Sequence, residues 1–92
     1  MMYPYITLAD GTLITHSDLL GDGEKKSVEV HFERPSPNCF DSARCSLPSY
    51  EWMLIDGYTD EEIQMFEQLL RNGAGMFYKY AELGGMTVAK AV

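Results

Sequence analysis

The sequence predicts an α+β fold, in which a small antiparallel sheet of three to five strands packs against two or three C-terminal helices. The first half contains short segments of alternating apolar and polar residues, separated by turns rich in Gly, Pro and Asp. The second half has apolar residues at helical spacing and residues typical of helix ends. We expect residues 1–92 to form a single domain, because domains usually contain about 50 to 250 residues.

Two short strands are predicted at the N-terminus. Residues 6–8 and 13–15 are mostly apolar and flank the dipeptide Asp10-Gly11. Both residues of this dipeptide tolerate a positive φ, as tight turns between antiparallel strands require. The pattern therefore predicts a β-hairpin.

The clearest strand pattern covers residues 27–33. Val28, Val30 and Phe32 alternate with the polar residues Ser27, Glu29, His31 and Glu33. Because successive side chains of a strand point to opposite faces, the three apolar residues are predicted to be buried. Glu29, His31 and Glu33 are predicted to be exposed, and one polar face favours an antiparallel sheet.

A further strand is predicted over residues 40–47. Ala43, Cys45 and Leu47 would point to the core, and Arg44 would lie across from Glu29 or Glu33. This strand would complete the main part of the sheet.

Two weaker elements are predicted around the helices. Pro48 suits the first turn of a helix, so residues 49–56 are predicted to form a short helix that ends at Gly57. Thr87 and Val88 could form a last strand near the C-terminus.

A helical hairpin is predicted between residues 57 and 85. Thr59 and Glu62 have the spacing of a capping box, which marks a helix start. Asn72 and Gly73 are typical of a helix end, and residues 76–83 resume the helical pattern. The rest of the chain would pack against these two helices.

The charge of the chain restricts its partners. Fourteen acidic and seven basic residues give a net charge of −7 at pH 7. An acidic surface repels phosphate groups, so we expect no direct binding to nucleic acid and no binding to anionic membranes. A protein partner with a basic surface is the predicted alternative.

The N-terminal residues favour a cytoplasmic location. The first residues lack the basic region and apolar run of a signal peptide, and no apolar run approaches the roughly 20 residues that span a bilayer. Cys39 and Cys45 are then expected to be reduced thiols.

Four short strings resemble a group of short, acidic, uncharacterised bacterial proteins associated with mobile elements. They are YPYITL at residues 3–8, HFERP at 31–35, DSARC at 41–45 and FEQLL at 66–70. The resemblance implies an accessory role, such as antagonising a host or a competing system, and it assigns neither an activity nor site residues to this chain.

The residues that commonly bind metals or act as nucleophiles are few. They are His16, His31, Cys39 and Cys45, and the spacing of the two cysteines is not that of a usual zinc-binding pair. We expect no metal, no cofactor and no catalytic residue. The alternative is a small enzyme or metal-dependent module that uses His31 with Cys39 or Cys45.

The leading hypothesis is a non-enzymatic, acidic protein-binding module of the inhibitor or nucleic-acid-mimic type. Aromatic residues are concentrated in the second half, and Tyr and Trp are enriched at protein interfaces. A structural subunit of a homodimer is another alternative. The candidate interaction residues are Trp52, Tyr58, Asp60, Glu61 and Tyr78.

Overall fold

The computed structural model describes residues 2–21, 26–37 and 40–84. Five strands are followed by one helix: β1 (Met2–Thr7), β2 (Leu13–Ser17), β3 (Val28–Pro35), β4 (Phe40–Leu47), β5 (Glu51–Asp56) and α1 (Asp60–Leu83). The strands form one antiparallel sheet in the order β1-β2-β3-β4-β5. The α+β class is confirmed, but the described residues form one helix instead of two or three.

The predicted N-terminal hairpin is present as β1 and β2. Its turn is closed by the Leu8 N–H, which donates to the Thr12 carbonyl oxygen at 2.8 Å. Gly11 has a φ of 91°, in the left-handed region that favours glycine. The register shifts between Pro4 and Ile6, so β1 contains a bulge.

Strands β3 and β4 form the centre of the sheet. Val30 pairs with Cys45 and Phe32 pairs with Ala43, so the apolar residues of both strands share one face. That face holds the fully buried side chains Ile14, Val28, Val30, Phe32, Ala43, Cys45 and Leu47. The predicted burial of the apolar positions in both strands is confirmed. We call this face the inner face.

The polar positions of β3 differ partly from the prediction. Glu33 is exposed, but Glu29 and His31 are only half-exposed, and Glu29 Oε1 lies 2.6 Å from His31 Nε2. Arg44 lies opposite His31 in the register, not opposite Glu29 or Glu33.

The predicted short helix over residues 49–56 is wrong. Residues 48–50 form a turn, in which the Tyr50 N–H donates to the Ser46 carbonyl oxygen at 2.8 Å. Glu51–Asp56 then pairs with β4 as strand β5. A helix of two turns is marginal by itself, whereas the strand completes its backbone hydrogen bonds against an existing sheet.

The helix start is confirmed, but the helical hairpin is wrong. The Glu62 N–H donates to Thr59 Oγ1 at 3.2 Å, and the Thr59 N–H donates to Glu62 Oε1 at 3.0 Å. The helix then continues through Gly73 to Leu83, and Gly84 ends it with a φ of 80°. The predicted strand at Thr87 and Val88 lies outside the described residues.

Burial of aromatic side chains explains why the helix continues. Phe77 is fully buried, and its ring lies 4.3 Å from that of Tyr5, centroid to centroid. Burying a Phe side chain contributes about 1.5–3 kcal/mol, whereas a glycine inside a helix costs about 1 kcal/mol. The packing of the second half of α1 therefore outweighs the preference of Gly73 for a helix end.

Helix α1 packs on the inner face of the sheet. Its buried side chains are Phe66, Leu70, Phe77 and Ala81. The Phe66 ring stacks on Phe32, with 4.4 Å between the ring centroids and 10° between the planes. No helix within the described ranges covers the opposite face of the sheet, which we call the outer face.

Among the residues described, no helix is long and apolar enough to cross a membrane.

Candidate protein-binding surfaces

Arg34 is the centre of an ion-pair cluster at one end of the inner face. Its guanidinium contacts Glu62 at 2.6 Å, Asp41 at 2.8 Å and Asp10 at 3.0 Å. It also lies over the Tyr58 ring, 4.7 Å from the centroid. The cluster joins the β1–β2 turn, β3, β4 and the first turn of α1.

The cluster changes the acidity of its members. The pKa of Glu62 is lowered, first by its hydrogen bond to Arg34 and then by that to the Thr59 backbone. The pKa of Asp10 is lowered mainly by the Thr12 N–H, which donates to its carboxylate at 2.9 Å. These carboxylates already have partners within the chain, so we interpret the cluster as structural.

The predicted aromatic interaction residues contribute to the core. Tyr58 is buried, and its hydroxyl lies 3.2 Å from Thr12 Oγ1. The Tyr58 ring contacts Phe66, and the Trp52 ring contacts Phe32, at centroid distances of 5.0 and 5.7 Å. Trp52 remains half-exposed at the edge of this aromatic cluster.

The other predicted interaction residues lie on or beside α1. Asp60 and Glu61 are exposed at the helix start. Tyr78 is half-buried and packs against the core. Burial is the main cause that raises the pKa of its hydroxyl.

His31 and Cys45 lie on opposite faces of the sheet. Cys45 is fully buried on the inner face, and this desolvation is the main cause that raises its pKa to about 11. His31 lies on the outer face beside Glu29. The alternative of an enzyme or metal module receives no geometric support from this pair, and Cys39 lies outside the described residues. Over the described ranges, no three His, Cys, Asp or Glu side chains are grouped to hold a metal ion.

His16, unlike His31, is fully buried. Its Nδ1 lies 3.0 Å from the Ser17 carbonyl oxygen and donates to it, which leaves Nε2 without a proton in the neutral ring. In the part of the chain that the structure describes, Nε2 has no hydrogen-bond partner. The ring packs against Tyr3 and Phe77, so His16 acts as a core residue.

The outer face carries acidic residues on β3, at the centre of the sheet, and on β5, at its edge. The register aligns Glu29 with Ser46 and Glu51, and it aligns Glu33 with Ser42 and Asp56. Arg44 lies between these two rows. Across β3, β4 and β5 the outer face therefore presents the exposed carboxylates Glu33, Glu51 and Asp56, the guanidinium of Arg44, and the half-exposed Glu29, whose carboxylate contacts His31.

Strand β5 has an exposed apolar segment. Met53, Leu54 and Ile55 are 50%, 39% and 49% exposed, and Glu51 and Asp56 flank them. The register shift places Met53 in a bulge between the pairs of Trp52 and Leu54 with β4. This edge is not predicted from the sequence, because Pro48 favours a helix over these residues. The signal that could have revealed it is the β-favouring content of residues 52–55.

A shallow apolar pocket lies between the β1–β2 turn and α1. Its volume is about 330 Å³, and it is lined by Leu8, Ala9, Asp10, Met65 and Leu69. The Asp10 carboxylate is already held by Thr12 and Arg34. The pocket therefore offers mainly apolar contact.

No protein-family model, no curated protein and no solved structure matches this chain. We therefore infer the function from the surfaces described above.

Proposed function

We propose that this protein is a non-enzymatic binding module that recognises a basic surface of a partner protein through the outer face of its sheet. The observation that carries the proposal is the acidic outer face, on which the exposed carboxylates Glu33, Glu51 and Asp56 and the His31-paired carboxylate of Glu29 surround Arg44. This face lies opposite α1, so a partner could approach it without displacing the helix.

The charge of this face supports a protein partner. Opposite potentials increase the rate of association, and they disfavour partners of the wrong charge. An array of carboxylates on a rigid sheet also has the character of a phosphate mimic. The sharper form of the proposal is therefore an inhibitor that occupies a groove in which its target normally holds nucleic acid.

Cys45 and His31 give little support to catalysis. A cysteine nucleophile requires a thiolate and a nearby base, whereas the raised pKa of Cys45 keeps its thiol protonated. His31, on the outer face, cannot act as its base. A binding role requires no such pair.

The test compares two charge reversals of equal size. Glu29→Lys with Glu33→Lys changes the outer face, and Asp60→Lys with Glu61→Lys changes the helix start by the same net charge. The partner captured from the native cell by the unmodified chain is purified, and its association and dissociation rates with all three proteins are measured at low and high salt. Thermal melts confirm that each variant is folded.

We expect the outer-face variant to associate more slowly than the helix-start variant. Salt should slow association of the unmodified chain more than it changes dissociation, because it screens charges over about 8 Å at physiological ionic strength. Loss of binding only in the helix-start variant would place the site at Asp60 and Glu61. Association that does not respond to salt would contradict the proposal.

A further inference from the structure

We propose that the free edge of β5 binds an extended segment of the partner protein, in which apolar residues are flanked by Lys or Arg at both ends. The segment would add a sixth, antiparallel strand to the sheet. This inference rests on the proposed function, because it specifies where and how a basic partner would bind.

The two edges of the sheet differ in their capacity to accept a strand. β1 contains Pro4, which has no backbone N–H and is typical of protected edges. β1 and β5 each contain a bulge, but β5 contains no proline, and it pairs with β4 on one side and with no other strand of the described chain. The edge at β5 is therefore the better template for backbone pairing.

The side chains of β5 define the character of its partner. Glu51, Leu54 and Asp56 align with the outer-face residues Ser46, Arg44 and Ser42 of β4, so an apolar side chain lies between two carboxylates. On the inner side, Ile55 is 49% exposed and Trp52 is half-exposed. A partner strand would find apolar contacts on both faces and negative charge near both ends.

A second copy of this chain is a poor occupant. Two-fold antiparallel pairing along the whole strand would place Glu51 of each copy opposite Asp56 of the other. Like charges directly opposite each other destabilise a pair of strands. The net charge of −7 opposes self-association further. A basic residue at each end of the incoming segment would instead form opposite-charge pairs with Glu51 and Asp56.

The first test uses a capped peptide of the sequence Lys-Val-Thr-Val-Lys, whose two Lys side chains point to one face, as Glu51 and Asp56 do. It is titrated into the ¹⁵N-labelled protein, and the amide shifts are followed by NMR. We expect the largest changes at residues 51–56. A peptide with Glu in place of both Lys residues should bind at least about tenfold more weakly, since it places like charges at both ends of the pair. N-methylation of alternate peptide amides should also abolish binding, because it removes the donors of backbone pairing.

The second test exchanges the charges on the protein. Glu51→Lys with Asp56→Lys should reverse the preference, so that the Glu-flanked peptide binds more tightly than the Lys-flanked one. A loss of binding to both peptides in this variant, with its fold intact, would overturn the inference. Equal binding of the N-methylated peptide, shifts away from β5, or dimerisation of the unmodified chain through β5 would also overturn it.

The two proposals can fail separately. Suppose that the captured partner loses affinity with the Glu29 and Glu33 reversal but binds the Glu51 and Asp56 variant normally. The outer face would then be the binding surface, and the inference about the β5 edge would be wrong. The proposed function fails instead if the peptide binds β5 as expected, but binding of the captured partner changes neither with salt nor in the Glu29 and Glu33 variant or the Glu51 and Asp56 variant.

Discussion

Arg34 and Glu62 form an ion pair in which the guanidinium lies 2.6 Å from one carboxylate oxygen, Oε2, while Oε1 of the same carboxylate accepts the Thr59 N–H. A single side chain thus caps the helix and binds a strand of the sheet. The start of α1 and the end of β3 are therefore stabilised together.

The contacts of Arg34 with Glu62 and Asp10 predict that the free energy of unfolding declines in acid. The pKa values of Glu62 and Asp10 are lowered from ordinary values of 4.5 and 3.8, so the folded state holds these protons less tightly than the unfolded state. Their contribution is complete above the ordinary pKa values and is lost as the pH falls through the lower, folded ones. Denaturant melts between pH 7 and pH 2 should show this loss.

Removing Arg34 should reduce the dependence of stability on pH. We expect Arg34→Met to lower the free energy of unfolding at pH 7, and to flatten its decline below pH 4.5 because the main partner of Glu62 is gone. Arg44→Met is the matched control, since Arg44 is exposed on the outer face. Equal acid dependence in the unmodified chain and in Arg34→Met would show that the cluster does not control the titration.

The N-cap of α1 gives a further prediction. Thr59→Ala removes the hydroxyl that accepts the Glu62 N–H, and it should cost about 0.5–2 kcal/mol of stability. Thr59→Ser retains the hydroxyl and should recover most of this loss. Urea melts of the two variants measure the difference, and equal stability of Ala and Ser at this position would exclude a capping role.

Two glycines should respond in opposite directions to alanine. Gly75 lies inside α1, and apart from its chain neighbours and the backbone of its own helix no atom lies within 4 Å of an added Cβ, so Gly75→Ala should stabilise the protein by about 0.5–1 kcal/mol. Gly57 has a φ of 90°, and an added Cβ would clash with the Asp41 carboxylate. Gly57→Ala should therefore destabilise the protein by more than about 1 kcal/mol. Thermal melts of both variants check the signs.

The Cys45 thiol should be unreactive in the folded protein. It is fully buried and its pKa is raised to about 11, so little thiolate forms at pH 8. In a Cys39→Ser background, a thiol-specific reagent at pH 8 should label the native protein hardly at all and should label one thiol after denaturation. Rapid labelling of the native variant would contradict the burial of Cys45.

Elements with a strong local pattern could be predicted from the sequence. The alternation of Val28, Val30 and Phe32 predicts the buried face of β3, and the spacing of Thr59 and Glu62 predicts the helix start. Each signal lies within a few residues and agrees with the tertiary packing. The orientation of β4, with Cys45 on the inner face, follows in the same way.

The predictions from the sequence are wrong where long-range contacts outweigh the local preference for a secondary structure. Pro48 suits a helix start, but β4 provides a pairing partner for residues 51–56 that the local sequence does not reveal. Gly73 suits a helix end, but Tyr5 and His16 supply the surface on which Phe77 is buried. The outer-face array could not be predicted either, because Glu29 and Glu51 share a row only in the register of three strands.

The order of the strands has a consequence for how the chain folds. Each strand pairs with the next one along the sequence, so the sheet can grow by successive closure of short loops, each with a small entropic cost. The second half of α1 is different, since Phe77 must find Tyr5 near the opposite end of the chain. Docking of this helical segment is thus the step with the longest sequence separation, and such non-local contacts slow folding. We expect the sheet to form early and the contact between Tyr5 and Phe77 to form late.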